Sequence, residues 1–262
     1  MNHFEMTVWI GFVLFLGAFT QGAVGFGLGL VAIPLLVLGE IPLPTAIAVM
    51  LVTMLFTNST SCLKYRGSIH WKTVWPLVSM HLIGLPFGVL TLVYIEGFNP
   101  SVAKAVVGIM VLIAVFAQWA LKVKPRDHVN AVWGWGAGLG SGYIEGLVGM
   151  GSPPLVLYVM MQKWDLDRIR TTIWVVFLSD VIPLLLLLSY EFKGEIVYAV
   201  YLGVFLFPVS VCGTLLGNKA GHWLGVEKLR WVAYMILVLL GMVSVCLPLA
   251  KWTHHALLAG KY

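Results

Sequence analysis

Apolar residues run through this chain in eight long stretches, roughly 6–38, 43–63, 73–95, 102–121, 131–162, 171–190, 195–217 and 229–250, divided by short connections that hold nearly all the charge. Each stretch meets the ~18 residues that a membrane-crossing helix needs. The alternating segments of about ten residues that mark an outer-membrane barrel are missing. No connection is long enough to fold as a water-soluble domain. The pattern predicts an all-α polytopic membrane protein, with residues 1–262 forming one transmembrane domain.

Two stretches are too long for a single span. Segments 6–38 and 131–162 contain 33 and 32 residues, whereas one crossing takes about 20, and a glycine-rich run interrupts each near its middle. The two runs also align: Gln21-Gly22-Ala23-Val24-Gly25-Phe26-Gly27 reads against Glu145-Gly146-Leu147-Val148-Gly149-Met150-Gly151 at an offset of 124. Thr45-Ala46-Ile47 then matches Thr171-Thr172-Ile173, Gly67-Ser68-Ile69-His70-Trp71 matches Gly194-Glu195-Ile196-Val197-Tyr198, and Gly84 with Gly88 matches Gly213 with Gly217. Landmarks kept in order predict two structural repeats, 1–124 and 125–262, each a glycine-broken helix followed by three spans.

Charge then bears on topology. If every stretch crossed once, the 16 Lys and Arg would divide 9 to 7 between the two faces. If both broken segments double back as re-entrant hairpins, the division becomes 12 to 4, with residues 64–72, 122–128, 163–170 and 219–230 in the cytoplasm and residues 39–44 and 191–195 outside. A strong basic bias towards the cytoplasm is the expected pattern. Hairpins give each repeat an odd number of passes, so the repeats are expected to be inverted.

The hairpin tips are where chemistry is expected. Unwound backbone at membrane depth survives only when buried in protein or lining a watery cavity. A half-helix N-terminus there offers free N–H groups and a positive dipole end to an anion. The candidate substrate-binding residues are therefore the tip glycines Gly25, Gly27, Gly29, Gly149 and Gly151, with Gln21, Asn58 and Ser152 as neutral donors. Close helix packing is the rival account of the glycines, and interhelical hydrogen bonding that of the donors. Packing is the expected role of Gly84, Gly88, Gly213 and Gly217.

Glu145 and Asp180 are the carboxylates placed well inside apolar stretches, and His81 is an ionisable group in the third. Ionisable side chains at membrane depth are costly and point to function, so these three are the proton-coupling candidates, with a structural acid or an interhelical histidine as the alternatives. The Trp residues near span ends, among them Trp71, Trp133 and Trp164, read as an interfacial belt. Lys104, just inside its span, is expected to snorkel.

Composition excludes other classes. The chain is 60% hydrophobic and 10% charged, with a mean hydropathy of +0.95. Its net charge of +5 lies in membrane-flanking connections, where it suits anionic lipid rather than nucleic acid. Met1-Asn2-His3-Phe4-Glu5 carries no cation and no small-residue cleavage site follows, so the first stretch is expected to be retained. Cys62, Cys212 and Cys246 lack any ligand spacing, and no catalytic or nucleotide-binding motif occurs. No cofactor, no metal and no enzymatic activity are expected. The expected partners are a small anionic substrate and membrane lipid, and nothing opposes a homo-oligomer.

Two further matches complete the picture. Gly22 to Gly29 followed by Pro34-Leu35, and Gly146 to Ser152 followed by Pro153-Pro154-Leu155, resemble the paired signatures of the TauE/SafE sulfite exporter family. Asn58-Ser59 and Tyr65-Arg66-Gly67-Ser68-Ile69 are similar to that family's second-helix end and following loop. The chain departs from it at Leu28 and Leu30, and at Ser152-Pro153-Pro154, where further glycines are frequent. The resemblance covers nearly the whole chain and implies a bacterial inner-membrane permease for sulfite, thiosulfate or organosulfonates, generally an exporter. The combined expectation is a proton-coupled secondary transporter working by alternating access; the alternative is a passive anion channel, with the tips lining an open pore.

Overall fold

A computed structural model describes residues 2–98, 100–120, 125–126, 129–224, 235, 238–239 and 241–243. The order of elements is α1 His3–Val24, α2 Leu28–Leu38, α3 Leu43–Lys64, a 3-10 turn Arg66–Ser68, α4 Trp71–Phe98, α5 Pro100–Ala120, α6 Ala131–Val148, α7 Ser152–Met160, α8 Leu166–Phe192 and α9 Gly194–Leu224. Among the described residues five helices are long and apolar enough to cross a membrane: His3–Val24, Leu43–Lys64, Trp71–Gly97, Leu166–Phe192 and Gly194–Gly221. The one β feature among these residues is an isolated bridge between Arg126 and Gln162. The last apolar stretch, 229–250, lies almost wholly outside the described residues, as do Cys246, Lys122, Lys124, Lys228, Arg230, Lys251 and Lys261. Cys62 and Cys212 are free thiols.

Both long broken stretches reverse direction at their glycines. Gly25 closes α1 with φ 100° while its N–H bonds the Gln21 carbonyl at 2.7 Å. Gly27 follows with φ 109° and opens α2. Gly149 closes α6 in the same left-handed conformation, φ 67°, with its N–H on the Glu145 carbonyl at 2.8 Å. These are the backbone angles at which a Cβ is strained, so glycine ends the helix and lets the chain turn. The returning helices then lie along the ones before them. Gly17 packs on Leu28 and Ala32, and Gly39 on the Trp9 ring; Gly140 faces Pro154, and Gly134 the Tyr158 ring. Pro153 and Pro154 suit the first turn of α7, where a missing N–H costs no hydrogen bond.

Each hairpin is clasped by a long helix from the other half of the chain. Gly213, Gly217 and Gly221 of α9 sit on the carbonyls of Phe15, Phe19 and Ala23 of α1; Gly138, Gly142 and Gly146 of α6 sit on those of Leu77, His81 and Leu85 of α4. Contacts rising in the same order mean that α1 and α9 run parallel, and that α4 and α6 do so too. By the same test α3 parallels α9, through Val52 on Gly203 and Phe56 stacked on Phe207. Likewise α4 parallels α8, through Thr73 to Arg168 and His81 to Asp180. Gly84, Gly88, Gly213 and Gly217 thus all serve backbone-to-backbone packing, the small-residue device of membrane helices.

Among the described residues, one apolar cluster draws buried side chains from every helix from α1 to α9. The outside of the bundle is apolar as well, with Phe87, Phe116, Ile182 and Phe205 exposed, whereas Gln21, Asn58, His81, Ser141, Glu145 and Asp180 are buried. Polar groups inside and apolar groups outside suit a bundle whose solvent is lipid.

Candidate functional site at the hairpin tips

The two tips touch. A Cβ at Gly29, in the first turn of α2, would collide with the carbonyl of Gly149 and stand 3.0 Å from Met50 Sδ. Around this contact lies a small cavity of about 20 Å³. Gln21, Gly25, Gly27 and Gly29 line it from the first hairpin; Glu145, Gly149, Gly151 and Ser152 line it from the second; Phe26, Leu28, Met54, Met150, Ile173 and Phe177 supply its apolar wall. Seven of the eight residues expected to bind substrate therefore meet at one space. The eighth, Asn58, is fully buried just behind it and accepts a hydrogen bond from Gln21 Nε2 at 2.5 Å. That bond leaves Gln21 Oε1 and Asn58 Nδ2 without partners.

The second hairpin carries ionisable groups where the first carries amides. Glu145, near the end of α6, accepts the Gly151 N–H on Oε2 at 2.6 Å, while its Oε1 has no partner. Its carboxylate thus stands at the opening of α7, where the half-helix favours a negative charge. Asp180 lies within electrostatic reach of Glu145. It is hydrogen-bonded through Oδ2 to His81 Nε2 at 2.7 Å, and His81 Nδ1 lies 3.1 Å from Ser141 Oγ. Ser141, His81, Asp180 and Glu145 therefore form one buried polar cluster across α4, α6 and α8. Of the three proton-coupling candidates, Glu145 borders the cavity and the other two stand behind it.

Sequence reasoning missed three contributors. Ser141 lies one helical turn before Glu145 on α6, a spacing that places both on one face. Trp174 donates from Nε1 to the Gly25 carbonyl at 3.1 Å and fixes the first tip. Arg170 lies over Gly25, although its position at the edge of an apolar stretch suggested only a surface cation. The usable signal was its spacing from Arg168: residues two apart on a helix point to different sides, so the pair does not share one face.

Residues 10–243 match the sequence pattern of the family described as Sulfite exporter TauE/SafE. The chain belongs to that family. It is 26% identical over 247 residues to the "Probable sulfite/organosulfonate exporter TauE" of Cupriavidus necator, an alignment covering 90% of this chain and 92% of that protein. No solved structure matches. The TauE/SafE family is one of membrane transporters, not enzymes, and the apolar helices described above agree with transport across a membrane.

Proposed function

We propose that this TauE/SafE protein exports sulfite or an organosulfonate across the bacterial inner membrane, coupled to protons, by alternating access around the tip cavity. The observation that carries the reading is the convergence of two glycine tips, one from each half, on a single space bordered by Glu145. An oxyanion there would meet backbone N–H groups, Gln21 and Ser152 rather than bulk water. The relative from Cupriavidus necator, named for sulfite and organosulfonate export, supports that substrate class.

Helix directions support an inverted repeat. One direction is shared by α1, α3 and α9, the other by α4, α6 and α8, so α1 and its counterpart α6 point oppositely. Sidedness follows from charge. The Arg126 N–H bonds the Met161 carbonyl, and the Thr171 hydroxyl bonds the Ser68 carbonyl. Three of the basic groups assigned to the cytoplasm thereby share one face, and labelling of a single cysteine at Lys163 from outside would overturn the assignment.

Glu145 supplies the coupling. Ionised, it holds the Gly151 N–H and repels a second anion from the same pocket, because charges interact strongly where water is sparse. Protonated, it can yield that donor without like-charge repulsion, so proton and substrate binding are linked. In reconstituted vesicles, saturable sulfite or sulfoacetate flux that accumulates under a pH gradient is expected. Ohmic, non-saturating current would overturn the carrier in favour of the channel.

A further inference from the structure

We propose that Arg170 is a substrate-contacting residue: its guanidinium receives the oxyanion at the mouth of the tip cavity. This rests on the transport reading above and adds to it the positive charge that the tips themselves lack.

Arg170 sits in the second turn of α8, one turn before Ile173 of the cavity wall, and only 8% of its surface is exposed. Its side chain runs across the first tip, so that a Cβ at Gly25 would stand 2.9 Å from both its Cγ and its Nε. Gly25 borders the cavity. The Arg170 Nε is buried without a hydrogen-bond partner. Asp167 and Tyr65 are within electrostatic reach, yet among the described residues no carboxylate comes within 4.0 Å of the guanidinium. The Gly25 carbonyl beside it already accepts from Trp174.

The neighbouring Arg168 shows what an arginine with a structural task looks like here. Its Nε too is buried without a partner, but its Nη2 donates to Thr73 Oγ1 at 3.1 Å and its guanidinium lies 4.2 Å from the centre of the Trp164 ring. Arg170 has no such partners. Burying a cationic donor unpaired is expensive, and an oxyanion is the ligand that would complete it: two oxygens of a sulfite or sulfonate match the planar fork of a guanidinium. The cavity lining itself carries a carboxylate, Glu145, and no cation, and Arg170 stands next to it behind Gly25.

The test is calorimetric titration of sodium sulfite and sodium sulfoacetate into the purified full-length protein, its Arg170→Gln and Arg170→Lys variants, and the control Arg168→Gln. Loss of a charged hydrogen-bonding partner predicts a rise of about ten- to a hundredfold in Kd for Arg170→Gln, a smaller rise for Arg170→Lys, which keeps the charge but not the fork, and no change for Arg168→Gln. Should Arg170→Gln fail to fold, Arg170→Lys decides. A lowered melting temperature with an unchanged Kd in a folded Arg170 variant would overturn the proposal and leave Arg170 as a tip support. If the parent itself binds neither anion, the transport reading falls and this inference with it.

Discussion

The two hairpins solve the same backbone problem and carry different chemistry. Each ends a helix on a left-handed glycine, turns within a few residues and returns along itself. At the position just before the turn, however, the first has Gln21 bonded to Asn58, and the second has Glu145 bonded to Gly151 with His81 and Asp180 behind it. In the proposed carrier the matching backbone of the two tips would set where the oxyanion sits, and these unmatched side chains what its binding is linked to. Neutral amides can recognise an oxyanion without changing charge, whereas a buried acid cluster can exchange protons with it. The asymmetry is therefore the part of the molecule suited to coupling, and it can be tested by making the halves more alike.

The largest effects are expected from exchanging those side chains. Glu145→Gln gives the second hairpin an amide like the first. In vesicles it should retain sulfite exchange at equal pH and lose accumulation driven by a pH gradient. The converse change, Gln21→Glu, places a second carboxylate at the cavity and should abolish sulfite binding through like-charge repulsion. Undiminished gradient-driven accumulation by a well-folded Glu145→Gln protein would remove Glu145 from the coupling step.

Next come the glycines, where similar sequences hide different surroundings. A Cβ at Gly27 would have Thr20 Cγ2, 3.7 Å away, as its nearest neighbour, but the residue's φ of 109° disfavours any side chain. A Cβ at Gly151 would strike the Ser141 carbonyl and the Glu145 side chain instead. Gly27→Val is expected to abolish anion binding in a protein that still folds, whereas Gly151→Val should lose binding and melting temperature together. Gly84→Ala, in the contact between α4 and α6, should cost about 1–3 kcal/mol of stability and leave the sulfite Kd of the remaining folded protein unchanged. Calorimetry beside thermal melting separates the three.

Much of this architecture was legible because membrane depth penalises exceptions. The length anomaly of 6–38 and 131–162, with glycine at mid-stretch, located both broken helices, and the shared offset of 124 located the counterpart of Gln21 at Glu145. Those signals depend on backbone, which local sequence records well. Partnership across helices does not repeat at any fixed spacing. Nothing in the chain announces that Asn58 stands behind Gln21, that His81 joins Ser141 to Asp180, or that α9 clasps α1. Arg170 was hidden for a different reason: cations at the edge of an apolar stretch usually face headgroups, and the inward turn of this one depends on packing against Gly25.

The smallest effects should separate the residues standing behind the two tips. Asn58→Ala removes the acceptor of Gln21 Nε2, so Gln21 loses its fixed orientation but the cavity keeps its charge. Losing one neutral hydrogen bond of this kind corresponds to about 0.5–1.5 kcal/mol, so sulfite affinity should fall by about two- to tenfold at every pH, scaling the profile without reshaping it. Asp180→Asn is nearly isosteric and leaves His81 a partner, yet it deletes an ionisable group within reach of Glu145. It should change affinity at one pH little and alter how transport varies with pH. Measuring sulfite uptake across a pH series for both variants puts the contrast directly: an Asn58→Ala profile that changes shape, or an Asp180→Asn profile that merely scales, would mean that the division between a recognition hairpin and a coupling hairpin is drawn in the wrong place.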